Sequence, residues 1–153
     1  MDILKNIKIG ITTICTLLTA ALGQIAIPFY FLIIANIMDY ATGITAAKYR
    51  NEKVNSYKGF RGIAKKVCMW LLVAVGAIMD YAIINMGTTM GIEFNLKCIV
   101  ALAVIFWLLL NEFISILENM ADIGAPIPPF LLKLIKTAKD KTEETMDIES
   151  AVK

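Results

Sequence analysis

Between Ile9 and Met38 the chain carries no charged residue across thirty consecutive positions. A single α-helix of that length would rise about 45 Å, against a bilayer hydrocarbon core of about 30 Å. One upright helix does not fit. Gly23-Gln24 interrupts the apolar run, and Pro28 lacks the backbone donor a helix interior needs. The run therefore divides into an N-terminal segment (1–24, apolar from Ile7 to Leu22) and a second segment (25–47) whose only charge is Asp39.

Two further apolar segments follow, 67–86 and 96–119, each long enough to span. Of the 153 residues, 58% are apolar and 18% charged, where soluble domains average about 45–50% and 25%. The expected fold is an all-α integral membrane protein with three to four transmembrane or re-entrant helices and a C-terminal amphipathic helix. Whether residues 7–47 cross once or twice stays open on length alone. A weak signal-peptide pattern is a third reading, because Lys5 and Lys8 precede a short apolar stretch ending at Ala21-Leu22-Gly23.

There is no histidine, which removes the side chain most used for acid–base work near neutral pH and for metal ligation. No catalytic serine elbow, zinc-binding helix or phosphate-cradling glycine loop is present either. The expectation is a non-enzyme without metal or cofactor. Cys15, Cys68 and Cys98 are widely spaced in or beside apolar runs, and they read as reduced packing residues.

Charge distribution sets the orientation. The stretch 48–66 carries Lys48, Arg50, Lys53, Lys58, Arg61, Lys65 and Lys66 against Glu52, a net of +6. Lys and Arg in short loops mark the cytoplasmic side and contact anionic lipid, so this segment reads as a cytoplasmic loop that sets topology rather than as a nucleic-acid patch. The stretch 87–95, with Glu93 as its one charge, is then an external turn, and the C-terminus is cytoplasmic. Gly124, Pro126, Pro128 and Pro129 break the last helix. Beyond them, in 120–141, Phe130, Leu131, Leu134 and Ile135 oppose Lys133, Lys136 and Lys139, as in a helix lying at a membrane surface. The tail 142–153 is acidic and poor in core-forming residues, and it is expected to be mobile.

Ionisable side chains inside spanning segments cost several kcal/mol and so mark function by default. Here they are Asp39, Asp80, Glu112 and Glu118. On a helix Asn36, Asp39 and Gly43 share one face, and Asn111, Ser115, Glu118 and Asp122 form a stripe flanked by Glu112 and Asn119. Such faces should meet other helices or water rather than lipid. Ile37-Met38-Asp39-Tyr40-Ala41 also recurs as Ile78-Met79-Asp80-Tyr81-Ala82, with flanks that do not match.

Three stretches, in this order, resemble the toxin-secretion and phage-lysis holin family: Asp39-Tyr40-Ala41-Thr42-Gly43; the basic Ser56–Lys66 with Gly59 and Gly62; and Asn111-Glu112-Phe113-Ile114-Ser115-Ile116-Leu117-Glu118-Asn119 followed by Gly124-Ala125-Pro126-Ile127-Pro128. The resemblance covers about Ile27 to Lys136 and implies a small protein that oligomerises in the bacterial cytoplasmic membrane. It further implies lesions that pass an endolysin or a large toxin, with an antiholin as a further partner. The family-like positions are Asp39, Thr42, Gly43, Ser56, Gly62, Lys66, Glu112, Ser115, Glu118, Asn119, Gly124, Pro126 and Pro128, none of them catalytic. A small regulated channel or holin antagonist is the alternative, and a proton-coupled transporter is more distant.

Overall fold

The computed structural model describes residues 2–51, 56–93, 98–133 and 135–137. Among these there is no strand, and four long helices follow in order: α1 (Asp2–Leu22), a 3-10 turn at Gly23–Ile25, α2 (Ala26–Tyr49), α3 (Ser56–Thr89) and α4 (Ile99–Ile123). All four are long and apolar enough to cross a membrane. The protein is an all-α, multi-pass membrane protein. Lys53, residues 94–97 of the expected external turn, Lys139 and the acidic tail 142–153 lie outside the described residues.

The break in the uncharged run falls at Gly23, whose φ of +53° is a left-handed conformation that costs glycine nothing. Pro28 does not break the chain. It sits in the first turn of α2, where its missing donor has no helical partner to lose. α1 begins at Asp2 and α3 at Ser56, so residues 56–66, read from sequence as loop, are helical and continuous with the apolar segment after them. Charge marked that stretch as polar, yet its Lys, Arg and Ala residues are good helix formers.

Helix ends follow glycine chemistry. At the end of α3 Gly91 has φ +75°, its N–H reaches Thr88 O at 3.1 Å, and the Ile92 N–H reaches Gly87 O at 2.8 Å. At the end of α4 Gly124 has φ +83°, with Gly124 N–H to Ala121 O at 2.9 Å and Ala125 N–H to Met120 O at 3.0 Å. Both are Schellman ends that satisfy carbonyls the helix leaves open. Gly124 therefore stops α4 by itself. Pro126 and Pro128 occupy the non-helical stretch after it, and Pro129 opens a further helical turn instead of breaking one, as expected for proline at a first helical position.

The chain forms two compact units, Met1–Ile34 with Lys66–Leu109, and Ala35–Lys65 with Leu110–Lys153. In the first, Ile25, Leu32, Met69, Val73, Ala101, Ile105 and Leu108 make the buried core. Phe29 adds an edge-on contact with Trp70, ring centroids 6.3 Å apart. Every α1 side chain described before Ala21 is exposed. The helix is tied back through Tyr30, whose hydroxyl lies 2.8 Å from Thr19 Oγ1 and donates to the Cys15 carbonyl at 3.0 Å. The hydroxyls of Thr13, Thr16 and Thr19 donate to carbonyls four residues back, so α1 presents few unsatisfied polar groups to lipid. Cys15 and Cys68 are exposed and only Cys98 is partly covered, so the first two are not the packing residues their apolar neighbours suggested; all three are free thiols.

Candidate functional site

Among the described residues, three polar side chains of the spanning helices are buried: Asn36 and Glu112 at 3% exposure and Asp80 at 7%. Among the described residues no buried side-chain nitrogen or oxygen lacks a hydrogen-bond partner. These buried polar groups are thus satisfied internally, which removes most of the penalty for placing them in hydrocarbon.

Asp80 sits late on α3 and does not stand free in a lumen. One carboxylate oxygen accepts the Val100 N–H at 2.9 Å and the other the Ala101 N–H at 2.8 Å. These amides belong to the first turn of α4, which has no intrahelical acceptors for them. Asp80 is therefore a side-chain cap supplied by a neighbouring helix, with its negative charge at the positive end of the α4 dipole. One turn earlier, a Cβ on Gly76 would stand 3.0 Å from Ala101 Cα, so only glycine lets α3 and α4 approach this closely. The sequence reading missed Gly76, although Ala74, Gly76 and Ala77 form a small-residue cluster that could have signalled it.

In the second unit the polar residues of α2 and α4 meet. The Asn119 amide nitrogen lies 3.2 Å from Asp39 Oδ1, 3.5 Å from the Asp39 carbonyl and 3.2 Å from Thr42 Oγ1. Thr42 donates its own hydroxyl to Met38 O at 2.9 Å, which leaves its oxygen free to accept. Further along the same pair of helices Arg50 forms an ion pair with Asp122, both side chains about 40% exposed. Increasing number on α2 thus follows increasing number on α4, and the two run parallel here. Asn36 lies one turn before Asp39, and Glu112 lies two turns before Asn119.

The stripe expected on α4 is rotated. Asn111 and Asp122 are exposed, Ser115, Glu118 and the flanking Asn119 are half-buried, and only the flanking Glu112 is buried. The buried line runs Ala101, Ile105, Leu108, Glu112, Ile116, and it fixes the face by its apolar members. Polarity alone could not choose between two faces one residue apart. Gly43 lies on the same side of α2 as Asp39, and a Cβ there would meet the Asn119 side chain at 3.6 Å, an ordinary contact. Of the basic positions, Lys48, Arg50, Arg61 and Lys65 are exposed and Lys66 is half-buried, and Lys58 lies within helical α3.

Among the described residues no group of three acidic or cysteine side chains is placed to hold a metal ion. The arrangement offers cross-helix hydrogen bonds between membrane-embedded polar groups.

The model of the bacteriophage holin family matches residues 16–140. The chain belongs to that family. The match takes in α2, α3 and α4 whole, the helices that carry the buried polar residues Asn36, Asp80 and Glu112. A probable holin of Bacillus phage phi105 is 28% identical, over 76% of this chain and 79% of its own. An uncharacterized protein of Listeria monocytogenes is 31% identical over 94% of this chain and 97% of its own. A Clostridium perfringens protein from the nagH 3′ region, also uncharacterized, is 33% identical over 92% and 98%. No solved structure matches the chain.

Proposed function

We propose that the protein is a holin that accumulates in the bacterial cytoplasmic membrane, assembles with copies of itself, and opens lesions that pass a cell-wall hydrolase or a large toxin. The observation that carries this reading is the chain's place in the holin family together with the polar line on α2 and α4, built from Asn36, Asp39, Glu112 and Asn119. Lipid gives helices little hydrophobic reason to associate, so polar and close-packed contacts hold assemblies together. Polar groups satisfied within one copy can exchange partners between copies, or turn to water once an assembly encloses it. The +6 charge of 48–66 supports a cytoplasmic side for that segment and for the C-terminus. Nothing in this reading calls for catalysis or a cofactor.

The test is induced expression in a bacterial cell, following membrane potential together with release of cytoplasmic marker proteins of graded size. Sudden depolarisation with protein release after a lag is the expected result, and the largest marker released bounds the lesion. Depolarisation without protein release favours a small channel. Neither event, with the protein inserted, overturns the reading in favour of a holin antagonist or a transporter.

A further inference from the structure

The second unit gathers basic segments that are far apart in sequence. The C-terminus of α2, the N-terminus of α3 and the C-terminus of α4 come to one end of it. The contacts that show this are Asn119 with Asp39, Arg50 with Asp122, and Tyr40, whose hydroxyl lies 3.4 Å from where a Cβ on Gly59 would stand. The helical residues 129–133 and 135–137 follow α4 after the non-helical stretch 124–128, and Ile135 is buried. Lys48, Arg61 and Lys65 are exposed at that end, and Lys133 and Lys136 are exposed in the same unit. Large aromatic residues stand among them, with Phe60 at 69% and Phe130 at 71% exposure.

α3 is 34 residues long, about 51 Å, and so exceeds the hydrocarbon core by about 20 Å. Its polar N-terminal turns, which contain Phe60, Arg61 and Lys65, are the part the core cannot accommodate. Exposed aromatic rings beside exposed cations suit one surrounding: the headgroup layer, where rings sit at the acyl boundary and cations meet phosphate. We infer that this basic, aromatic collar selects anionic phospholipid headgroups over zwitterionic ones. The occupant follows from charge: five exposed cations of one unit attract a surface of negative phosphates, and they gain little from neutral headgroups. The inference stands apart from the holin reading, since lipid selection does not require lesions to open.

The experiment uses the full chain reconstituted from detergent into phosphatidylcholine vesicles containing a minor fraction of phosphatidylglycerol. A single tryptophan is placed in the collar (Phe60→Trp, with Trp70→Phe and Trp107→Phe), and bromine quencher is carried on one lipid or the other. Brominated phosphatidylglycerol should quench about twofold more strongly than brominated phosphatidylcholine at equal mole fraction, and molar salt should bring the ratio toward one. The variant Arg61→Gln, Lys65→Gln, Lys133→Gln, Lys136→Gln should abolish the preference, while Lys5→Gln, Lys8→Gln on α1 should leave it. Mass spectrometry of lipids retained by the unsubstituted chain in mild detergent gives the same comparison without the tryptophan changes. Equal quenching and equal retention of the two lipids, or a preference that survives neutralising the collar, overturns the inference.

Discussion

The Asp80 carboxylate receives the backbone N–H of Ala101 at 2.8 Å across 21 residues of sequence, so an α3 side chain caps the helix that follows it. The bond is charge-assisted and buried, and with the Val100 N–H it uses both oxygens. Asp80→Asn keeps one acceptor and loses the charge, and it should lower unfolding stability by about 1 kcal/mol; Asp80→Ala orphans both amides and should cost about 2–3 kcal/mol. Thermal unfolding in micelles, followed by circular dichroism, reads both. Equal stability of all three proteins would remove the capping role.

Gly76 and Gly43 should respond oppositely to alanine. Gly76→Ala drives a methyl group to 3.0 Å from Ala101 Cα, a backbone atom that cannot rotate away. It should destabilise by about 1–3 kcal/mol, the usual range for overpacking. Gly43→Ala meets only a side chain at 3.6 Å, and it gains helix propensity of up to about 1 kcal/mol. The same micelle unfolding experiment should therefore place the two variants on either side of the parent protein.

The all-α character and the break at Gly23 were legible because uncharged length and glycine chemistry are local signals, whereas the number of crossings in residues 7–47 was not. The N-terminal turns of α3 were not, since charge density masks helix propensity when hydropathy is the main signal. The candidate acids were legible as residue types, but the groups that each one meets were not. Asp39 and Asp80 stand in identical pentapeptides, yet one meets the Asn119 side chain and the other the amides of the α4 first turn. No local pattern distinguishes a carboxylate facing a side chain from one facing a helix end. The inward turn of Glu112 rather than Asn111 was set by Ile105, Leu108 and Ile116, residues the polar stripe ignored.

The Arg50–Asp122 ion pair should matter little. Both side chains are about 40% exposed, and exposed pairs contribute about 0–1 kcal/mol after solvent screening and side-chain ordering. Arg50→Gln should shift unfolding stability by no more than about 0.5 kcal/mol, with the shift shrinking further in molar salt. A loss several times larger in either Arg50→Gln or Asp122→Asn would show that the pair anchors the parallel packing of α2 and α4.

Replacing the polar line should separate insertion from opening. Asp39→Leu removes the carboxylate beside Asn119, and Glu112→Leu removes a carboxylate that is 3% exposed. Leucine makes both helices more apolar, so membrane insertion and protein level should be unchanged. Each cross-helix polar contact contributes about 0.6 kcal/mol on average, nearly threefold in an association equilibrium. If lesions form by assembly through these contacts, the lag before depolarisation should lengthen severalfold in either variant, and the double variant should not open. Asn111→Leu, one residue from Glu112 but exposed, serves as the control and should keep the parent lag. Parent timing in both Asp39→Leu and Glu112→Leu, at matched protein levels, would sink the role of the polar line. Equal delay in Asn111→Leu would instead trace the effect to added hydrophobicity.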